Sequence, residues 1–269
     1  MKVGRGGIAS RLKMKRIQEA ISTGKRLDGR GLEDYRDIRV RTGVIEKADG
    51  SSEVFIGDTR VIAGVEVSYG PPFEDTPGEG ILICNAEIVP LASPEIEPGP
   101  PDEVSIELAR IVDRGLRSAG IVDFSKMEII PKKTVYVINV DIFVLNYAGN
   151  LIDASSLAAV AALRSTIKPV FEAAGGEIVP SGRREPLEVR SIPISVTLSK
   201  VAGALLVDPT SDEEEVMETR LTVTLDERGN ICAIQKSGPE ALSLEEVRKA
   251  INIARSKAPE IRRKIMEGI

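Results

Sequence analysis

The sequence predicts an α+β fold of largely antiparallel sheet character. Three observations carry that reading. Apolar and β-branched runs bounded by turn residues fill residues 37–69 and return from Ser195 onward. Two segments with helical spacing interrupt them and a third closes the chain. The order is therefore strands, helix, strand, helix, strands and helix, without a regular βαβ alternation.

Each element has its own reason. Ser10–Ser22 is expected to be a helix, with Leu12, Ile17, Ala20 and Ile21 as a partial apolar stripe and Gly24 as its stop. Val40, Val44 and Ile45 lead into an expected turn at Asp49-Gly50-Ser51. Val54-Phe55-Ile56 comes next, then a second turn at Gly57-Asp58-Thr59 and a strand over Val61–Val67 that Gly70-Pro71-Pro72 breaks. Ile81–Val89 reads as a further strand and the Pro- and Gly-rich Pro90–Pro101 as a loop. Asp102 is placed to cap a helix running to about Ser118, with Val104, Leu108, Ile111, Val112 and Leu116 as its buried stripe. Thr134–Leu145 is a long β-branched strand. Asp153 is expected to cap a second helix, Ala154 to Ala174, ended by Gly175-Gly176. Pro180–Pro186, carrying Arg183 and Arg184, reads as a loop between subdomains. Strands are expected at Ser195–Leu198, Ala204–Val207, Arg220–Leu225 and Ile231–Gln235, the last two joined by a turn at 226–230. Ser243, with Glu246 three residues later, forms a capping box for a final helix lined by Leu244, Val247, Ile251 and Ala254.

Composition narrows the function. None of the 269 residues is histidine, which removes the commonest general base, the commonest zinc ligand and every Ser-His or Cys-His nucleophile. Cys84 and Cys232 form no CxxC and read as two reduced, buried thiols. With no Trp, five Phe and four Tyr, a single-strand binder built on aromatic platforms is not expected. The basic N-terminus lacks the apolar core of a secretory signal, and the longest apolar stretches, such as Leu157–Leu163, fall far short of the ~20 residues that span a bilayer. A cytoplasmic protein with no membrane partner is expected.

Charge is uneven. Residues 1–41 hold twelve Lys/Arg against five Asp/Glu, a net of +7, which leaves −12 for the rest of a chain whose net charge is −5. Such a basic arm either meets an anion, RNA or an acidic neighbouring subunit, or is a solvated arm that aids solubility.

Several stretches stand in one family's order: Arg26-Leu27-Asp28-Gly29-Arg30, Ala48-Asp49-Gly50-Ser51, Gly57-Asp58-Thr59-Arg60-Val61, Ser105-Ile106-Glu107-Leu108 and Asp153-Ala154-Ser155-Ser156-Leu157. Together, over roughly Arg26 to Arg255, they resemble the RNase PH family, phosphate-dependent 3′→5′ exoribonucleases that assemble into six-membered rings. The resemblance implies an RNase PH-like fold, a β-α-β sandwich of the ribosomal protein S-five domain-two type with a smaller C-terminal α/β subdomain. It implies a basic helical arm over 1–33, a first domain over 34–189 and a second over 190–269.

Three site elements of that family are altered. Where catalytic members carry Gly-[Ser/Thr]-Arg for phosphate, this chain reads Gly149-Asn150-Leu151-Ile152-Asp153. Neither Asn nor Leu can replace a planar guanidinium fork. Of two acids six positions apart, the match places Glu214 at the first and Arg220 at the second, so one carboxylate has reversed sign. An Arg-Arg pair is replaced by Glu103-Val104. The resemblance therefore points to the silent subunit type of the archaeal exosome ring, with no catalytic residue, metal site or cofactor of its own. Implied partners are a catalytic RNase PH-like exosome subunit in a hexamer of three heterodimers, RNA, and cap proteins bearing S1 or KH modules.

A silent subunit can still guide RNA. Arg110, Arg114 and Arg117, spaced i, i+4, i+7, fall within about 60° of one helix face. They can present cations to phosphates, or they can be ion-paired with Glu103, Glu107 and Asp113 on the same helix. The run Asp212–Glu215 reads as a solvated acidic turn rather than a metal site, and Asp153 as a cap rather than a catalytic acid. Two other readings stay open on sequence alone: an active homohexameric phosphorolytic ribonuclease with an unusual site, and an unrelated α+β small-molecule kinase, for which no Gly-rich phosphate loop is present.

Overall fold

A computed structural model describes residues 8–174 and 177–268. The first sheet comprises β1 (Ile38–Thr42), β2 (Gly50–Ile56), β3 (Thr59–Gly70), β4 (Ile81–Ile88), β5 (Glu128–Ile130) and β6 (Thr134–Asn146). Its order is β1-β2-β3-β6-β4, with β5 paired to β6. Every pair is antiparallel except β4 with β6. The second sheet has β9 (Ile194–Val201), β10 (Ala204–Val207), β11 (Thr219–Leu225) and β12 (Ile231–Ser237), in the antiparallel order β10-β9-β11-β12.

Helices α2 (Glu103–Ser118) and α3 (Leu151–Arg164) lie between the sheets: α2 packs on β4 and β12, α3 on β2, β3 and β9. α3 is buried from Leu151 to Leu163, and five of its residues are alanines, so neighbouring strands can approach its backbone closely. α5 (Leu244–Glu267) packs on β9 and β11 and reaches β1. One large core spans both sheets; a smaller cluster joins Ile17 and Ile21 of α1 (Ile8–Ser22) to Val201, Leu206 and Val216.

The expected caps are present. Asp102 accepts from Ser105 N at 2.8 Å, and Ser243 with Glu246 forms both bonds of a capping box. Other expectations are corrected. Gly50 lies in β2, paired with Val65, and not in a turn; a side chain there would collide with Thr166 and the Ala162 carbonyl. The second helix ends at Arg164. Ser165 and Thr166 hydroxyls turn back to the Ala162 carbonyl, both at 2.9 Å, and Pro169 cannot continue a helix. The chain continues instead as a two-stranded ribbon, β7 (Ile167–Ala174) and β8 (Glu177–Pro186), so Arg183 and Arg184 stand on a strand and not in a loop. Gly175 and Gly176, the expected stop, lie outside the described residues. Val104 and Leu244 are exposed; Ser105 and Gly115 take the former's place in α2, and Ala250, Ile253 and Ala258 carry the buried face of α5. Both cysteines are free and partly buried.

Candidate functional site

The site starts with two backbone positions. Gly149 has φ +96° and meets the backbone of residues 209–211 so closely that no side chain fits there. Asn150 is next with φ 54°, and α3 begins at the residue after it. This turn aims the Asn150 N–H at a carboxylate from elsewhere in the chain: Asn150 N donates to Glu214 Oε1 at 2.9 Å, and Tyr147 Oη donates to Glu214 Oε2 at 2.5 Å. Glu214 sits on the short helix α4 (Ser211–Val216), fixed by a capping box between Thr210 and Glu213. A helix N-terminus favours an anion through its unpaired N–H groups and dipole. At α3 that anion is the protein's own Glu214. Burial pushes its carboxyl above the usual range, against the pull of Tyr147, Asn150 and the nearby Arg220 and Arg36.

The Asn150 side chain closes the site from below. Its Nδ2 donates to Asp153 Oδ2 at 2.9 Å and to Asp208 Oδ1 at 2.8 Å, while the Asn150 Oδ1 has no partner among the described residues. Asp153 also accepts from Thr197 N and Oγ1, at 3.1 and 2.8 Å, and from Tyr35 Oη at 2.8 Å. Full burial pushes its carboxyl up to about 6 despite those donors. Asp153 is thus a buried hub in the first turn of α3, not its cap, and a correction to the sequence expectation. Asp208 is equally buried, but Arg36 grips it with Nε at 2.8 Å and Nη2 at 2.7 Å, and Arg30 Nη1 adds a contact at 2.8 Å. Burial works to raise the Asp208 carboxyl; the Arg36 guanidinium outweighs it and holds the group below the usual carboxylate range.

The acidic run is not a solvated turn either. Glu213 is buried and takes Arg26 Nε at 2.9 Å, while Asp212 meets Lys13 at 2.6 Å. Arg26 further donates to the carbonyls of Val207 and Asp208 at 2.8 and 2.9 Å. Lys13, Arg26 and Arg30 of the basic arm thus meet acids of the body. Arg220 is mostly buried and reaches Glu107 Oε1 at 3.4 Å, an oxygen that Ser237 also contacts at 2.9 Å. Among the described residues, no group of three or more acids and cysteines is arranged to hold a metal.

Beside this network lies an open cleft of about 390 Å³ lined by Glu103, Ile106, Glu107, Arg110, Ile111, Arg114 and Gln235. The structure brings Arg110 and Arg114 together there. Arg110 is exposed and makes no ion pair among the described residues; Arg114 makes one bond, Nη1 to Gln235 Oε1 at 3.2 Å. Arg117 is different. Its Nε lies 2.8 Å from Asp113 Oδ2, and its Nη2 donates to the Leu82 carbonyl, so it is committed to the scaffold. Arg183 and Arg184 pair with Glu172 and Asp49.

Sequence reasoning did not find Tyr35, Arg36, Tyr147 and Asp208. Their partners lie far along the chain, and no local spacing marks them. The nearest sign is the stretch Arg26–Arg30, which carries a family match and no indication of its partners.

Known proteins share this architecture. The family model described as 3′ exoribonuclease family (RNase PH), domain 1, matches residues 34–169, and its domain 2 counterpart matches residues 191–257. The exosome complex component Rrp42 of Thermococcus onnurineus is 50% identical over 255 residues, covering 94% of each chain. The Rrp42 component of Methanosarcina mazei is 44% identical over 262 residues, covering 97% of this chain and 96% of its own length. A chain of the Archaeoglobus fulgidus exosome with RNA bound to the active site superposes with a TM-score of 0.88 at 42% identity, over 96% of this chain and 99% of that one. A chain of an archaeal exosome core gives 0.85 at 39% identity, over 96% and 98%.

Proposed function

The chain belongs to the RNase PH family of 3′ exoribonucleases, and on that premise we propose that it is a non-catalytic subunit of an archaeal exosome ring. It pairs with a catalytic RNase PH-like subunit, three such heterodimers close the ring, and the assembly shortens RNA from the 3′ end with inorganic phosphate. The partner supplies the phosphorolytic site; this chain braces it and helps guide the strand. S1- or KH-bearing caps fit the same assembly. The basic arm to residue 33 and domains over 34–189 and 190–269 are the division that goes with this reading.

One observation supports it most: at the head of α3, where the catalytic pattern has a hydroxyl and a guanidinium, this chain has Asn150, whose Nδ2 is spent on Asp153 and Asp208, and the buried Leu151. An incoming phosphate would find an amide and a leucine where a hydroxyl and a guanidinium serve the catalytic members. The test is RNA shortening in orthophosphate by this chain alone, by the catalytic subunit alone and by the mixture, with native mass spectrometry of each. Activity confined to preparations containing the catalytic subunit, with a hexamer in the mixture, is the expected result. Shortening by this chain alone would establish the active homohexamer instead.

Arg110 and Arg114 are the RNA contacts this reading favours, because these two of the three helix arginines line the cleft and make no ion pair among the described residues. Arg110→Glu with Arg114→Glu is expected to weaken RNA capture by the assembly about tenfold or more and to flatten its salt dependence, since single-strand binding loses a slope of ~0.7 per phosphate contact. Unchanged capture would make this face merely structural.

A further inference from the structure

At one edge of the first sheet, register decides which side chains meet. Arg39 stands opposite Phe55, and Phe55 opposite Arg60; in the adjoining row Arg41 stands opposite Glu53. Alternation along a strand sends all five to one face. It is the face away from the core, since Val54, Ile56 and Val61 point the other way and are fully buried. The guanidinium carbons of Arg39, Arg60 and Arg41 lie 4.8, 5.5 and 5.8 Å from the centre of the Phe55 ring. Their side chains are 57%, 47% and 65% exposed. The acids nearby are Glu53, 2.6 Å from Arg60 and 3.9 Å from Arg41, and Asp37, 3.4 Å from Arg39. Three cations thus share one ring with two carboxylates, on a chain whose net charge is −5. Nothing in the network around α3 or on the α2 face uses them.

Like charges gathered at one point repel, and the excess is relieved by an anion. A guanidinium laid against a ring keeps its N–H edge free for phosphate and its outer plane free for a base. With neighbouring strands 4.7–4.9 Å apart, Arg39 and Arg60 are rooted about 10 Å from each other, wide enough to meet more than one phosphate. An acidic peptide would satisfy the charge alone; a single-stranded nucleic acid satisfies both charge and plane. We propose that Arg39, Arg41 and Arg60 around Phe55 form a second, sequence-independent contact for single-stranded RNA, on the outer face of the β1–β3 edge. It rests on the reading above that RNA is the ligand of the assembly.

The test is fluorescence anisotropy of a labelled oligoadenylate with the full chain, in the wild type and in the Arg110→Glu, Arg114→Glu background. Arg39→Gln with Arg41→Gln leaves Arg60 to keep Glu53 paired, so the sheet is preserved; an unchanged thermal midpoint verifies this. Expected is a several-fold loss of affinity in both backgrounds and a fall of roughly 1.4 in the slope of log K against log salt, ~0.7 per cation removed. Oligonucleotides carrying 4-thiouridine should crosslink to peptides from Ile38–Thr42 or Gly50–Ile56. Unchanged affinity and slope without such crosslinks would overturn the proposal. So would a double variant that binds RNA normally but pairs poorly with the catalytic subunit, which would make the patch a protein interface. The non-catalytic reading fails by RNA shortening and this one by binding, so the two failures are distinct.

Discussion

At the scale of single residues, a buried carboxylate does opposite work in different surroundings. Glu214 serves the buried donors Asn150 N and Tyr147 Oη, and its removal should be felt as lost stability. Glu214→Ala leaves the Tyr147 hydroxyl and the Asn150 N–H buried without their acceptor, a cost of about 1–3 kcal/mol, read as a lower urea midpoint. A midpoint equal to wild type would show that water replaces the carboxylate freely. Asp153 gives a pH signature. Its carboxyl sits at about 6 in the fold against 3.8 outside it, so the native state holds the proton longer than the unfolded chain. Its contribution to stability is therefore greatest below pH ~4, falls as pH rises towards ~6 and is flat above, a change of roughly 3 kcal/mol at 1.36 kcal/mol per unit. Asp208, held below the usual range, works in the opposite sense at more acid pH. Comparing unfolding free energies of wild type and Asp153→Asn across pH 4–7 isolates the first effect; parallel curves would refute it. Neither residue announces this in sequence. That Asn150 and Leu151 stand where the family resemblance implies a phosphate motif was legible, but that Asn150 bridges two carboxylates depends on partners that only the folded chain brings together.

At the scale of elements, what was legible is what local chemistry settles. Asp102 and Ser243 mark helix starts because a side-chain oxygen satisfies an N–H two or three residues on. The end of α3 at Arg164 was not legible because periodic apolar residues continue through Ile167, Val170 and Phe171; Pro169 and the hydroxyls of Ser165 and Thr166 outweigh that pattern. The arginine face of α2 shows the same split. Spacing groups Arg110, Arg114 and Arg117, yet Asp113 stands one turn before Arg117 and captures it. Arg117→Gln should then leave RNA capture by the assembly unchanged while lowering stability by about 1 kcal/mol or less, the worth of a half-exposed pair with one added carbonyl contact. Filter binding alongside thermal unfolding distinguishes the outcomes; a loss of capture equal to that of Arg110→Glu would return Arg117 to the RNA face.

At the scale of the whole molecule, charge separation along the chain is partly offset in space. The sequence divides into a basic start and an acidic remainder, and the fold closes one onto the other: Arg26 on Glu213, Arg30 and Arg36 on Asp208, Lys13 on Asp212. These contacts clasp the segment before β1 to the far end of the second sheet, over separations of 172 to 199 residues. A clasp of this kind is insensitive to salt where it is buried, unlike an RNA-binding arm. Arg26 decides between the two. Arg26→Met strands a buried Glu213, which costs about 3–5 kcal/mol, whereas Arg26→Met with Glu213→Met removes both charges and should recover much of that loss. Carbonyl bonds from Arg26 to Val207 and Asp208 keep the recovery incomplete. If the arm were a nucleic-acid probe, the single variant would unfold no more easily than wild type and would lose RNA; if it is a clasp, the cycle closes on stability and the double variant, at equal folded fraction, holds RNA as wild type does.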